Sequence, residues 1–214
     1  MSKIQRIQKP KCLEDLEEIS NIYDEITYAE KIQDKYVENV TISDKNQSGF
    51  TIDSCIFKNV IFKNCIFRNI DLIDARFENC DLSNVDFSGG SIHRVEFINC
   101  KLLGTKFDES SLKDILFKDS LGKFSNFSFS KINGVNFINS NFEEGIFQEV
   151  SMKKVCLIEC NLNNSIFNKT SLNRIDFTTC DIQDISAEIE DVGGAIVSPI
   201  QALDLTRLLR LEIR

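Results

Sequence analysis

The chain has 214 residues, a formal net charge of −8 and 42% hydrophobic residues. That length can bury one sizeable core, and no apolar run reaches the 18 residues that a membrane-spanning helix needs. The acidic balance argues against direct binding of nucleic acid, which requires basic patches. No apolar region follows the opening MSKIQRIQKPKC, so no signal peptide is expected and the protein is predicted to be cytoplasmic.

The N-terminal region, residues 1–36, is predicted to hold a tail and a cap. Residues 1–11 are polar and are expected to be mobile. Apolar residues then recur at helical spacing, including Leu13, Leu16 and Ile19, which predicts an acidic amphipathic helix over about 12–32. This helix either covers the open edge of the following domain or binds a partner. Residues 36–49 resemble a degraded first turn of that domain, because Lys45 and Gln47 interrupt its pattern.

A five-residue period organises the central region. Large apolar residues recur at every fifth position from Ile52 to Ile182. Five matches neither the helical period of 3.6 nor the strand period of 2.0, so the backbone must turn the same position inward every five residues. These residues fall into four columns with members twenty apart, which indicates four blocks per turn. Two columns are rich in phenylalanine, and their members are predicted to form the core ladder: Phe57, Phe67, Phe77, Phe87, Phe97, Phe107, Phe117, Phe127, Phe137, Phe147, Phe167 and Phe177.

The blocks CIFKN, VIFKN, CIFRN and their successors resemble those of the pentapeptide-repeat family, whose consensus is A(D/N)Lxx. The resemblance covers about two thirds of the chain. It implies an all-β solenoid, a right-handed quadrilateral β-helix, which we assign to residues 37–197 with helical caps at both ends. Asn residues that follow the inward centre by two suit the corners, because Asn tolerates turn and left-handed conformations.

The filled interior of such a solenoid leaves no room for a substrate, and no sequence motif indicates chemistry. The chain lacks a phosphate-binding glycine loop, a nucleophile elbow, a zinc-protease motif and a CxxC pair. The single histidine, His93, is expected to face solvent without a fixed acid or nucleophile. We therefore predict no catalytic, cofactor or metal site, and a protein that is not an enzyme.

Six of the eight cysteines occupy the small inward position of a block, where a free thiol packs as a small apolar group. Cys80 and Cys100, and likewise Cys160 and Cys180, should lie one turn apart, close enough to oxidise in vitro. Cys156 precedes an inward residue and is expected to point outward. The inward cysteines are Cys55, Cys65, Cys80, Cys100, Cys160 and Cys180.

The pattern is irregular at Gly122, which takes a position where a large apolar residue is expected. Either a neighbouring side chain fills the gap after a local rearrangement, or apolar side chains remain on the surface. The second alternative predicts a patch for a partner. Its residues are Leu103, Leu121, Phe124 and Phe129.

The C-terminal segment, residues 198–214, has the features of a helix. Ser198 is a suitable N-cap, Pro199 fits the first helical position and Gln201 completes a capping box, which predicts a helix over about 199–210. The segment resembles the C-terminal segment of Qnr-type and MfpA-type pentapeptide proteins, which implies a two-fold homodimer. A cap on a monomer is the alternative. The predicted dimer residues are Ile200, Leu203, Leu205, Leu208, Leu209 and Leu211.

The same resemblance implies a function. Qnr-type and MfpA-type proteins bind type II topoisomerases, DNA gyrase or topoisomerase IV, and protect them from quinolones or toxins, by a proposed mimicry of DNA. The charge pattern argues against mimicry here. Acids exceed bases by only three over residues 50–185, far fewer than a duplex with a charge every 1.7 Å or so. Topoisomerase binding through specific contacts remains the first hypothesis, and a scaffold for another partner the second.

Overall fold

The computed structural model describes residues 4–11, 16–19 and 22–210. They form a parallel β-solenoid, which confirms the fold class predicted from the sequence. The elements are β1 Glu17–Glu18, α1 Tyr23–Tyr28, β2 Lys31–Gln33, β3 Lys35–Glu38, β4 Thr41–Ser43, β5 Asn46–Ser48, β6 Thr51–Asp53, β7 Ile56–Lys58, β8 Ile61–Lys63, β9 Ile66–Arg68, β10 Asp71–Glu78, β11 Ser91–Ile98, β12 Ser111–Lys118, β13 Lys131–Ile138, β14 Ser151–Ile158, α2 Pro199–Leu205 and a 3₁₀ helix Thr206–Leu209.

The strand register advances by twenty residues per turn. Phe77 pairs with Phe97 across β10 and β11, and Phe97 pairs with Phe117 across β11 and β12. Each of the long strands β10 to β14 bends around one corner and covers two sides of the solenoid, while isolated bridges join the other two sides. We number the sides by their inward residues: side 1 has Ile52 and Leu72, side 2 Phe57 and Phe77, side 3 Phe62 and Leu82, and side 4 Phe67 and Phe87.

The corners are residues in the left-handed region, one at the end of most blocks. At the corner between sides 2 and 3, Asn59, Asn79 and Asn99 have φ of 54°, 54° and 52°. Asn adopts this region at lower cost than most side chains. The side-chain amides also form a ladder, in which Asn79 donates to Asn59 at 3.2 Å and Asn99 donates to Asn79 at 2.8 Å. These asparagines thus serve the fold.

The core contains stacked phenylalanine rings. All twelve phenylalanines of the predicted ladder are buried. Within one column the rings stack at the turn spacing, with centroids 5.0 Å apart for Phe97 and Phe117 and 4.9 Å for Phe127 and Phe147. Rings of the two columns meet edge to face, as Phe117 does with Phe127 at 6.0 Å. Both arrangements are favourable for aromatic pairs, and they fill the interior with side chains.

The six inward cysteines are buried free thiols, as predicted. The Cys80 and Cys100 thiols donate to the carbonyl oxygens of Phe57 and Phe77, at 3.3 Å and 3.4 Å. Burial raises the pKa of Cys55 to about 12. Cys156 lies outside the core cluster, in keeping with the predicted outward direction, but its side chain is only 4% exposed. The backbone of Gln5 lies against its sulfur, so the N-terminal segment covers a position that the repeat turns outward.

The N-terminal cap differs from the long helix predicted over 12–32. Glu17 and Glu18 form a strand that pairs with β3 and extends the sheet of side 2. The helix is confined to Tyr23–Tyr28, and its Ile26 packs into the core. The solenoid then begins at Lys31, earlier than the predicted start at 37. Leu13, which was included in the predicted helix, lies outside the described residues.

The two residues that interrupt the repeat in this first turn anchor the cap. Lys45 is buried, and its ammonium group donates to the Tyr23 carbonyl oxygen at 2.8 Å and to the Thr27 hydroxyl. The Gln47 amide donates to the Thr27 carbonyl oxygen at 2.9 Å. Carbonyl groups in the last turn of a helix lack intrahelical partners, so Gln47 satisfies that of Thr27, while Lys45 ties the first residue of the helix to the solenoid.

Candidate protein-interaction surfaces

The C-terminal segment closes the other end of the solenoid. Ser198 and Gln201 form the predicted capping box around the start of α2. The Gln201 amide also donates to the carbonyl oxygens of Phe177 and Cys180, at 2.8 Å and 2.7 Å. The Arg207 guanidinium donates to the Ile185 carbonyl oxygen. Carbonyl groups that would otherwise be exposed at the last edge are thereby satisfied.

The helix predicted over 199–210 ends as α-helix at Leu205 and continues as a 3₁₀ turn to Leu209. No residue of α2 is fully buried. Leu205 packs partly against the core. By contrast, Ile200 is 82% exposed, Leu203 is more than half exposed and Leu209 is half exposed. Leu208 is half-buried. Of the predicted dimer residues, Leu211 lies outside the described residues. The end of the solenoid therefore presents apolar side chains to solvent.

Gly122 keeps the repeat in phase, and a ring from the next turn fills its place. A Cβ atom built on Gly122 would lie 2.3 Å from Cε1 and 2.5 Å from Cδ1 of Phe142. Phe142 is fully buried and contacts the rings of Phe117, Phe137 and Phe127 at centroid distances of 5.5 Å, 5.1 Å and 5.9 Å. A large residue in one turn thus compensates for a missing side chain in the turn before it.

Because Phe142 fills the gap, the apolar neighbours of Gly122 remain on the surface. Leu121 and Phe124 stand at the two ends of side 3 in this turn and are about half exposed. Leu103 lies on side 3 one turn earlier and is less exposed. Phe129 is 52% exposed but lies at the far end of side 4. The four predicted patch residues therefore spread over two adjacent sides, and we call them the lateral patch.

Two members of the lateral patch are of an unusual residue type for the left-handed corners of this solenoid. Phe124 has φ of 63° and Phe129 has φ of 61°. Asn84 and Gly104 occupy the same corner as Phe124 in the two preceding turns, and these residue types accept left-handed conformations readily. The Lys123 ammonium group lies 4.9 Å from the centre of the Phe124 ring and also pairs with two acids.

Buried charges on the sides are paired along the solenoid axis. The Arg94 guanidinium donates to both Asp74 carboxylate oxygens, at 2.6 Å and 2.7 Å. Burial alone would raise the pKa of Asp74, but the bonds from Arg94 and from the Lys11 backbone lower it. Arg76 pairs with the buried Glu96 at 2.8 Å. Such pairs keep each side near neutrality, and they form no continuous array of acids.

The single histidine has a structural setting. His93 Nε2 lies 3.5 Å from the Asp114 carboxylate. Burial, and then the neighbouring cations Arg94 and Lys113, lower the pKa of His93. Among the described residues, no group of three or more His, Cys, Asp or Glu side chains is placed to hold a metal ion. In the same part of the chain, no helix is both long and apolar enough to cross a membrane.

The N-terminal segment, Ile4 to Lys11, makes contacts that the sequence did not reveal. Its backbone N–H groups donate to Asn136, Asp114 and Asp74 at 3.1 Å, 3.2 Å and 2.9 Å. The prediction of a mobile tail over residues 1–11 was therefore wrong for residues 4–11. Side-chain acceptors on the outer surface of the solenoid bind the main chain of this segment. The repeat pattern of the sequence does not predict this contact.

The twenty-residue register, the four sides and the aromatic interior define a quadrilateral β-solenoid. Two family models match its repeats, the pentapeptide repeat region over residues 90–144 and the pentapeptide repeats over residues 146–184. A third, the SV2A/B/C luminal domain, matches residues 16–107. The chain is therefore a pentapeptide-repeat protein.

Solved structures show the same fold at low sequence identity. HetL, a pentapeptide repeat protein involved in heterocyst differentiation regulation in the cyanobacterium Nostoc, is 13% identical, with 78% of this chain and 84% of that chain covered and a TM-score of 0.51. QnrB1, a plasmid-mediated fluoroquinolone resistance protein, is 22% identical over 86% of this chain and 95% of that chain, with a TM-score of 0.46. Comparison with curated proteins gave no match.

Proposed function

We propose that the protein is a non-enzymatic binding module that contacts a partner protein through the lateral patch. The observation that carries this proposal is the placement of Phe124 and Phe129 at left-handed corners with about half of each side chain exposed. Left-handed backbone costs an L-residue about 1–2 kcal/mol, and every other non-glycine residue described in this conformation is polar or charged. Exposed aromatic side chains are also the residues that most often dominate binding energy at interfaces.

The region around the patch favours a protein as the ligand. Side 3 offers Leu103 and Leu121 beside Phe124, and the adjacent Lys123 is paired with Glu143 and Glu144 at 3.3 Å and 3.0 Å. An apolar centre with a charged rim is typical of a protein interface. The stacked rings fill the core, so a large ligand can contact only the outer surface of the sides.

Dimerisation through the C-terminal end is the second part of the proposal. Ile200, Leu203 and Leu209 form an apolar surface at the end of the solenoid, next to the exposed Ile196. A two-fold contact would bury these side chains against their own copies. The capping box and Gln201 hold the segment on its own solenoid, so the apolar residues are presented on a fixed support, as a self-complementary interface requires.

The candidate partner comes from the sequence. The repeats and the C-terminal segment resemble those of Qnr-type and MfpA-type proteins, so the first partner to test is a bacterial type II topoisomerase, DNA gyrase or topoisomerase IV. We assign the contact to the lateral patch and not to mimicry of a DNA duplex, because the ion pairs along the sides leave no continuous acidic surface.

A gyrase supercoiling assay with and without ciprofloxacin tests the proposed partner. We expect micromolar protein to inhibit the enzyme or protect it from the drug. Leu121→Ser with Phe124→Asn should reduce this effect at least tenfold, whereas Ile61→Ser, which changes an equally exposed apolar residue in an earlier turn of side 3, should not. If the protein changes neither the activity nor the drug sensitivity of gyrase and topoisomerase IV, the topoisomerase assignment is wrong. A scaffold for another protein then becomes the better hypothesis.

Light scattering tests the dimer. Ile200→Ser with Leu203→Ser should convert the dimer to a monomer that keeps its circular dichroism spectrum, because neither side chain is buried in the single chain. Tyr28→Ser is the control, since Tyr28 has the same 82% exposure as Ile200 but lies at the opposite end. A double variant that remains dimeric would refute the assignment of the interface.

A further inference from the structure

The N-terminal segment lies across successive turns of the solenoid. Lys11 binds Asp74 on the turn that holds β10, Gln8 binds Asp114 on the turn of β12, and Gln5 binds Asn136 on the turn of β13. The segment therefore runs along the solenoid axis with its N-terminus towards the later turns. We call the surface beneath it the N-terminal groove, formed by Asp74, Asp114, Gly134, Asn136 and Cys156.

The spacing of two of these contacts fits an extended conformation. Every third backbone N–H of the segment donates to the groove. An extended polyproline-like strand turns once in three residues and advances about 9.3 Å, close to the rise of two solenoid turns at about 4.8 Å each. Asp74 and Asp114 are separated by two such turns, so the step from Lys11 to Gln8 fits this advance. The step from Gln8 to Gln5 covers one turn, from the corner residue Asp114 to Asn136 on side 2. The sequence has the same period, because Ile4-Gln5-Arg6 is followed by Ile7-Gln8-Lys9.

Asn136 recognises the main chain at the far end of the groove. Its Oδ1 accepts from the Gln5 N–H at 3.1 Å, and its Nδ2 donates to the Gln5 carbonyl oxygen at 3.0 Å. The residue is 2% exposed, so both bonds are made away from solvent. An amide that binds the backbone N–H and the backbone carbonyl group of one residue recognises the peptide main chain and not a side chain. Any extended peptide with the right register can satisfy it.

Part of the groove is held by bonds that do not involve the segment. Asp74 is held by two bonds from Arg94, and Glu96 is held by Arg76. The strands beneath pair with one another through their own backbone hydrogen bonds. The segment itself is mostly exposed, Ile4 by more than half. It is thus a separate layer on a finished sheet.

The segment is basic and two of its three groove contacts are carboxylates, of which Asp74 is also paired with Arg94. Asp74 and Asp114 contribute carboxylates at the two bonds nearest the basic end of the segment. The segment carries Arg6, Lys9 and Lys11. Gly134 lacks a side chain where Ile7 passes, and a Cβ there would lie 3.7 Å from the Ile7 side chain. A longer side chain at Gly134 would block this passage.

We propose that the N-terminal groove is a binding site for an extended basic peptide of a partner protein, and that residues 4–11 occupy it as an internal ligand that the partner displaces. The ligand class has an apolar, a polar and a basic residue in each group of three, with a free backbone N–H at the polar one. The tethered segment competes with every external peptide at an effective concentration on the order of millimolar. A second copy offers the same sequence and gains nothing by exchange, whereas a partner's peptide must bind the groove more tightly than residues 4–11 do.

The test uses the full chain with Gln5→Pro and Gln8→Pro. Proline removes the two N–H donors but keeps the backbone in an extended form, and the groove residues are unchanged. The probe is a fluorescein-labelled peptide, IQRIQKPK, followed by fluorescence anisotropy. We expect the double-proline variant to bind it at least tenfold more tightly than the wild type. Gln5→Ala with Gln8→Ala, which keeps both N–H donors, should behave like the wild type.

Two further measurements make the test specific. In the double-proline variant, Asn136→Ala should abolish binding, and a scrambled peptide of the same charge should not bind. Maleimide labelling with peptide mapping should show that the double-proline variant exposes Cys156, which the bound peptide then protects. The proposal is overturned by absent or unsaturable binding, by equal binding to both proteins, by an Asn136→Ala change without effect, or by a Cys156 that stays protected in the variant. Higher-mass species in a mixture of wild type and variant would instead assign the groove to a second copy.

Discussion

The contact between Gly122 and Phe142 gives the sharpest prediction about stability. Gly122→Ala places a methyl group 2.3 Å from Cε1 and 2.9 Å from Cζ of Phe142, well inside van der Waals contact. The ring cannot move freely, because Phe117 and Phe137 contact it at 5.5 Å and 5.1 Å between centroids. Overpacking of this kind costs about 1–3 kcal/mol. We expect that loss in the free energy of unfolding, measured by urea titration and circular dichroism.

A double-mutant cycle separates overpacking from a general intolerance of side chains at position 122. Leucine occupies the corresponding inward position at Leu82, Leu102 and Leu162. Phe142→Leu alone should lose on the order of 1–3 kcal/mol to the cavity left beside the glycine. Gly122→Leu alone should be worse than Gly122→Ala, but the two leucines together should recover most of the loss, since contacting residues couple by about 0.5–3 kcal/mol.

Gly193→Ala is the matched control. Neither Gly122 nor Gly193 has a left-handed φ, and a Cβ on Gly193 approaches only the Glu190 carbonyl oxygen, at 3.3 Å, so this change adds a methyl group without a ring clash. Strict additivity of Gly122→Leu and Phe142→Leu would refute the explanation that Phe142 fills the space of the missing side chain. A Gly122→Ala variant as stable as the wild type would refute it as well.

Three further predictions concern charge, strain and thiols. The pKa of Asp74 is lowered in the folded protein. Its contribution to stability is therefore present above the unfolded pKa near 3.8 and is lost as the pH falls through the folded pKa. Asp74→Asn should flatten the decline of the melting temperature in acid. Phe129→Asn should raise the free energy of unfolding by about 1 kcal/mol, because Asn accepts the left-handed corner more readily; an unchanged or lower value would remove the argument that this corner is strained. Burial raises the pKa of Cys55 to about 12. In the folded protein this thiol should resist a disulfide reagent at mildly alkaline pH, and it should react in guanidinium chloride. Rapid reaction in the native protein would contradict its place in the core.

The repeat made the solenoid predictable because each position in a block has one direction. The inward columns, the buried cysteines and the asparagine corners all follow from a phase that is read directly from the residue types. The capping box at Ser198 was equally clear, since it depends on residues three apart in the sequence. Local patterns determine these features, and no knowledge of distant contacts is needed.

Features that depend on contacts between distant segments were not predictable. Cys156 is turned outward by the repeat and buried by Gln5, which is far away in sequence. Lys45 and Gln47 interrupt the repeat in the sequence, but in the structure they bind carbonyl groups of a helix. The helix predicted from the sequence was longer than the observed one. The filling of the Gly122 gap from the next turn was also hidden, because Phe142 looks like any other inward ring.

The N-terminal segment has a consequence for folding cooperativity. In a simple solenoid each turn contacts only its neighbours, and such an array unfolds progressively from its ends. The bonds of Gln5 and Gln8 instead join residues 131 and 106 positions apart, which couples the middle turns to the start of the chain. Long-range contacts form late because the intervening chain must be ordered first. Residues 4–11 are therefore expected to reach their place after the turns that they cross.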